Sequence, residues 1–147
     1  MDFSAAEAHH ERAGADDDVT PTQGEVKVTL PAELESSRLA RTFVRQSWPD
    51  LDSNVLDDVA LIVTELVSNA VKHGAPELQL RLRRDPFAVD VAVLDHGADM
   101  PPTEVRQADL AATSGRGLFM VDQLANRWGC EPLVGETGKA VWASLTP

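Results

Sequence analysis

Glu65-Leu66-Val67-Ser68-Asn69-Ala70-Val71-Lys72-His73-Gly74 sets a carboxylate and a carboxamide four residues apart on a segment that otherwise reads as a hydrophobic helix. At that spacing the two polar heads share one helix face. Upstream, Val55, Val59, Ile62, Val63, Leu66 and Ala70 recur at three- and four-residue intervals and form a single apolar stripe, with Asn54 or Ser53 as the expected N-cap. Gly74 is the expected stop, and Lys72 and His73 stand in the last turn, where positive charge suits the helix dipole. At about 100° per residue Asn69 falls on the edge of the stripe and Glu65 just beyond it, so both line a half-buried wall. Asn is a poor residue for a helix interior because its amide competes for backbone hydrogen bonds. Either it is bonded locally or another task holds it there.

Two later segments bear on that choice. Phe87 to Leu94 reads as a strand and ends abruptly in Asp95-His96-Gly97-Ala98-Asp99-Met100-Pro101-Pro102. Asp-x-Gly after a strand is an ordinary turn signal. The same arrangement can also read a purine, since the carboxylate accepts from an exocyclic amine and the glycine lets a flat ring approach. Further on, Thr113-Ser114-Gly115-Arg116-Gly117-Leu118-Phe119-Met120-Val121 opens a helix expected to continue through Leu124 to about Trp128. Free amides at a glycine-lined helix start suit an anion, although a lone Gly-x-Gly is weak evidence.

The order and spacing of the three segments are more specific than any one of them. Together they resemble the ATPase superfamily that joins gyrase, the large heat-shock chaperone, histidine kinases and mismatch-repair proteins (the GHKL or Bergerat fold). Within it the match is to the small anti-sigma-factor serine/threonine kinases and their stand-alone actinobacterial relatives. Glu65-x-x-x-Asn69-Ala70-Val71-Lys72-His73 resembles the N box, Asp95-x-Gly97 the first glycine box and Gly115-Arg116-Gly117-Leu118 the second. Thr137-Gly138-Lys139-Ala140-Val141-Trp142 resembles the closing turn and last strand.

The resemblance implies ATP and Mg²⁺ as cofactors. Asn69 would hold Mg²⁺ through its side-chain oxygen, in keeping with a hard ion that retains most of its water. Glu65 would be the general base toward a serine hydroxyl or water, and Asp95 would accept from the adenine amine, with Gly97 giving the ring room. Gly115, Gly117 and the amide of Leu118 would bind phosphate oxygens, Lys72 and Arg116 would add charge, and Thr137 a hydroxyl. The implied activity is transfer of the γ-phosphoryl group of ATP to a serine of a small antagonist protein, with sequestration of a sigma factor as an added role. The alternative is an ATP-dependent regulatory binding protein with little or no catalysis. The chain departs from the family at Asp99, where a second glycine is usual, and between Met100 and Ser114 it carries Glu104 and Asp109 against a single Arg106. Acidic groups near a triphosphate weaken its binding.

Composition sets outer limits. A length of 147 residues with 43% hydrophobic content suits one domain with a proper core, and a net charge of -11 argues against direct nucleic-acid binding, which needs a basic face. A basic protein partner fits better, and a homodimer is compatible with the reading. The single cysteine, Cys130, is expected in the core. No segment approaches the roughly 18 apolar residues of a membrane span, and the N-terminus lacks a signal peptide's basic and apolar regions, so a cytoplasmic location is expected. Residues 1–24, with Asp16-Asp17-Asp18 and few large apolar side chains, read as a disordered acidic tail. His9 and His10 within it are not read as a metal site.

Residues 25–147 are then the ATP-binding domain. The expected elements are a strand at Glu25 to Leu30, a helix from Leu34 to Ser47, the N-box helix, a hairpin of Glu77 to Arg83 and Phe87 to Leu94, the second-glycine helix, and a last pair of Cys130 to Val134 and Ala140 to Leu145. This pattern predicts an α+β, two-layer α/β sandwich: a mixed, mostly antiparallel sheet with helices on one face and the other face partly solvated. Arg81, Arg83 and Arg84 are expected on that solvated face, and Trp128 and Trp142 in sheet packing.

Overall fold

The computed structural model describes residues 25–97 and 117–147. The expected acidic tail, the segment Met100 to Ser114, Asp99, Gly115 and Arg116 lie outside them. The described chain forms β1 (Glu25–Leu30), α1 (Ser36–Ser47), α2 (Ser53–His73), β2 (Leu78–Arg84), β3 (Val89–Asp95), α3 (Gly117–Leu124), β4 (Arg127–Pro132) and β5 (Lys139–Leu145). The five strands make one sheet in the order β1-β2-β3-β5-β4, and all four pairings are antiparallel. The architecture is the expected α+β sandwich.

Strand alternation decides which side chains meet the helices. Leu78, Leu80 and Leu82 of β2, Val89, Val91 and Val93 of β3, and Val141, Ala143 and Leu145 of β5 form the main core with the α2 residues Val59, Ile62, Val63, Leu66, Val67 and Ala70. Each Val, Leu or Ile side chain so removed from water contributes roughly 1.5–3 kcal/mol before entropy is counted. The core therefore fixes α2 across the sheet along the stripe read from its spacing. On its flanks, α2 packs against both α1 and α3.

Local chemistry moves several boundaries. Asp52, rather than Asn54 or Ser53, caps α2: its Oδ2 accepts from the amides of Asn54 at 3.0 Å and Val55 at 3.3 Å. The Asp85 carboxylate accepts from the amides of Phe87 at 2.7 Å and Ala88 at 2.9 Å, so the expected strand from Phe87 opens two residues later and Phe87 is exposed. Likewise α1 starts at Ser36, whose hydroxyl donates to the Pro31 carbonyl at 2.5 Å, and Leu34 is left exposed. The helix after the second glycine segment ends at Leu124, not near Trp128, because the amide of Asn126 already donates to the Ser144 carbonyl of β5. Trp128 belongs to β4 and donates its indole N–H to Asp122 at 2.9 Å. Beyond β4, Pro132 ends the strand that was expected to reach Val134, and Gly135 takes the turn at φ 79°.

The face of the sheet turned away from the helices is more buried than expected. Ala92, Leu94, Ala140 and Trp142 form a second apolar cluster there, with Leu133 packed on it. Gly129 lies against the Trp142 ring, where a Cβ would come within 3.0–3.2 Å of the indole. The three arginines are not a solvated row. Arg81 is buried, donates Nε–H to Gln79 at 2.5 Å, and burial lowers its pKa to about 10. Arg83 pairs with Asp90 at 3.6 Å, while Arg84 pairs with Asp50 at 2.6 Å and stacks 5.5 Å from the Trp48 ring. Cross-strand register sets Arg83 beside Asp90, whereas Arg81 bonds within its own strand and Arg84 reaches the segment between α1 and α2. No described helix is long and apolar enough to cross a membrane.

Candidate functional site

The C-terminal end of α2 and the end of β3 are laced together. The amide of Gly74 donates to the Ala70 carbonyl at 2.8 Å, ending the helix, and the amide of His96 donates to the Ala75 carbonyl at 2.9 Å. Gly74 itself has φ -99°, which any residue can adopt, so the helix stop does not need its left-handed freedom. Space is what it supplies. A Cβ there would stand 2.6 Å from both Cγ and Oδ2 of Asp95 and 2.7 Å from the Ala70 carbonyl oxygen. Gly97 is similarly confined, its Cβ position lying 3.0 Å from Asp95 Oδ1 and 3.2 Å from the Ala75 nitrogen. Two glycines thus let backbone close around one carboxylate. Gly74→Ala is accordingly expected to cost about 1–3 kcal/mol by overpacking, read as a lowered urea midpoint at unchanged slope. An unchanged midpoint would mean that Asp95 moves aside freely.

That carboxylate is 1% exposed. Its Oδ1 accepts three hydrogen bonds, from the Gly97 amide at 2.6 Å, the Lys139 ammonium at 3.0 Å and the Ala75 amide at 3.3 Å. Its Oδ2 is buried and has no hydrogen-bond partner among the described residues. Lys139 is equally enclosed, at 1% exposed, and stands directly across from Asp95 in the β3–β5 ladder. Sequence reading placed Lys139 in the closing motif and gave it no role. The available signal was a lysine opening the apolar run Ala140-Val141-Trp142-Ala143. Cys130 lies close enough for both charges to act on it, but burial dominates and pushes its thiol up to about 12. It stays protonated and inert in the core, as its sequence context suggested.

The other sequence-read residues take distinct positions. Asn69 is buried on α2, 8% exposed, and the described residues give its amide no hydrogen bond. Glu65, one turn earlier, is half-buried, and Lys72 is exposed in the last turn. Gly117 is the first residue of α3, and Leu118, 2% exposed, anchors that end of the helix in the core shared with α2. Thr137 is exposed in the β4–β5 turn, where its carbonyl lies 3.4 Å from His96 Nδ1. The geometry therefore gathers Asp95, Gly97, Gly74 and Lys139 at one point, with Asn69 and Glu65 on the helix leading to it.

These residues fit the nucleotide that the sequence suggests. Asp95 Oδ2, unpartnered among the described residues, is an acceptor in want of an N–H donor, and leaving such a group buried and unmet costs about 1–3 kcal/mol or more for a charge. Asn69 offers one neutral oxygen for a cation that draws its other ligands from phosphate and water. Among the described residues no cluster of three or more His, Cys, Asp or Glu side chains could hold a metal by itself.

Comparison with known proteins gives the family. The model of the histidine kinase-like ATPase domain matches residues 30–145, and the chain belongs to that family. The domain is ATP-binding, and the family includes anti-sigma factor kinases. The chain is similar in structure to the RsbU and RsbW domains of Rv1364c from Mycobacterium tuberculosis, with a TM-score of 0.60 and 20% identity over 86% of this chain and 33% of that one. It thus spans about a third of that larger protein, and the likeness speaks to fold alone. A histidine kinase domain from the Erythrobacter litoralis EL346 blue-light activated histidine kinase also matches, at a TM-score of 0.46 and 16% identity, over 88% of this chain and 67% of that one. Among curated protein sequences none matches the chain.

Proposed function

We propose that this chain is an ATP-dependent serine/threonine protein kinase of the anti-sigma-factor type, which transfers the γ-phosphoryl group of ATP to a serine of a small antagonist protein and can also sequester a sigma factor. The observation that carries the reading is the buried Asp95 Oδ2 at the end of β3, without a hydrogen-bond partner among the described residues, beside the C-terminal end of the helix that bears the buried Asn69. In this reading Asp95 accepts from the exocyclic amine of adenine and Gly97 lets the ring approach. Asn69 holds Mg²⁺, which supplies charge neutralisation between the phosphates. Lys72, Gly115, Arg116, Gly117, the Leu118 amide and Thr137 meet the phosphate chain, and Glu65 takes the proton of the attacking hydroxyl. Residues 25–147 form the catalytic domain, with residues 1–24 as an appended acidic segment. Phosphoryl transfer asks mainly for positioning and charge stabilisation, which one base, one metal and a phosphate cradle supply.

The test is incubation of the chain with γ-labelled ATP, Mg²⁺ and candidate antagonist proteins. Phosphoserine on the antagonist supports the kinase. ATP-dependent antagonist or sigma-factor binding without label transfer overturns it in favour of a regulatory binding protein. The metal role has its own check in Asn69→Ala, expected to abolish Mg²⁺-dependent ATP binding in titration calorimetry while leaving the circular dichroism spectrum and melting temperature in place. Ala is the better helix former by several tenths of a kcal/mol, so the fold does not suffer. Unchanged ATP affinity in that variant would remove Asn69 from metal binding.

A further inference from the structure

The geometry points to Lys139 as a specificity-determining residue that reads the N1 nitrogen of adenine beside the amine taken by Asp95. The inference rests on the nucleotide reading above. An ammonium group carries three N–H donors; Asp95 Oδ1 takes one of those of Lys139, and the described residues accept no other. A lysine only 1% exposed with donors to spare is as costly as an orphaned carboxylate oxygen. The two needs are complementary and adjacent: Asp95 Oδ2 wants a donor, and Lys139 Nζ, bonded to the other oxygen of the same carboxylate, wants an acceptor.

The Watson–Crick edge of adenine presents that pair side by side, an exocyclic N–H donor and a ring nitrogen acceptor. Guanine presents a carbonyl and an N–H at the same positions, with polarity reversed, so its carbonyl would meet the carboxylate and its N–H the ammonium. Oδ1 is already saturated by Gly97, Ala75 and Lys139, which leaves Oδ2 as the acceptor that can serve the base. Lys139 therefore acts twice, pinning the carboxylate and donating to the ring. Its position on β5, directly across from Asp95, holds both groups on the helix-facing side of the sheet.

The experiment measures affinities of the full chain for ATP, for 1-deaza-ATP, in which N1 is a C–H, and for GTP, by calorimetry with Mg²⁺. The parent is expected to bind 1-deaza-ATP about 10- to 100-fold more weakly than ATP, the loss of one charge-assisted hydrogen bond, and to bind GTP more weakly still. Lys139→Met is expected to bind ATP and 1-deaza-ATP alike. Parent affinities for ATP and 1-deaza-ATP within twofold of each other overturn the role of Lys139 while leaving nucleotide binding intact, and so does a Lys139→Met variant that still discriminates. GTP binding equal to ATP overturns the adenine reading of the pair. Failure of the parent to bind any of the three overturns the nucleotide reading itself. Where Lys139→Met does not fold, the parent's ratio alone decides.

Discussion

Glu65→Gln is expected to leave ATP bound within a few-fold of the parent and to lower phosphoryl transfer by about 10²–10⁴, the usual share of general-base catalysis. Glu65 sits one helical turn before Asn69 on α2 and is half-buried. The amide keeps the shape and hydrogen-bonding reach of the carboxylate and removes its basicity. Were Glu65 only a surface residue of the helix, the same change would shift stability by less than about 0.5 kcal/mol and leave every activity alone. Single-turnover transfer to an antagonist at saturating ATP separates the two cases. Equal rates in parent and variant would exclude Glu65 as the base.

Asp95→Ala is expected to destabilise the chain by about 3–5 kcal/mol, because it strands the Lys139 ammonium in a site from which water is excluded. The pair is almost fully enclosed, with side chains 1% and 2% exposed, so solvent screening does little to soften the loss. Against the 5–15 kcal/mol that holds a typical domain together, this is a large fraction. Removing both charges in Asp95→Ala with Lys139→Met should recover much of the loss, since the penalty belongs to an uncompensated charge rather than to the missing bond. Urea unfolding of the parent, the two single variants and the double variant measures the coupling. A loss below about 1 kcal/mol in Asp95→Ala would show that water reaches Lys139. The pair also alters how a base-preference experiment must be read. Asp95→Asn should weaken the preference for adenine over guanine, as an amide can rotate to donate, yet it also leaves Lys139 without its counter-charge, so affinities need correction for the folded fraction.

The sequence by itself determined the features whose causes are local. The period of Val59, Ile62, Val63, Leu66 and Ala70 required a helix buried on one side, and that helix is α2. Asn69 stood out because an amide on such a stripe lacks an evident local use, and the structure buries it without giving it a hydrogen bond among the described residues. Alternation in Glu25–Leu30 and Leu78–Arg84 required strands, and the strand, helix and hairpin order required a two-layer α+β arrangement. Boundaries slipped where one side chain captured neighbouring amides, as Asp52 and Asp85 do, since periodicity is blind to caps that lie outside the repeat.

Tertiary structure alone decided the rest. Arg81 reads as a surface residue, yet it is buried and donates to Gln79, two residues earlier on the same strand. Gly74 reads as a helix stop chosen for its backbone freedom, whereas its φ is ordinary and its missing Cβ is what admits the Asp95 carboxylate. Asp95 and Lys139 are 44 residues apart in the chain, and neither has a local pattern that names the other. The pairing of β3 with β5 makes them neighbours, and burial turns that nearness into a coupled charge pair. Short-range preference is written residue by residue, but the surroundings of a charge depend on which distant segment the chain folds against it, and that is settled only when the sheet and helices close together.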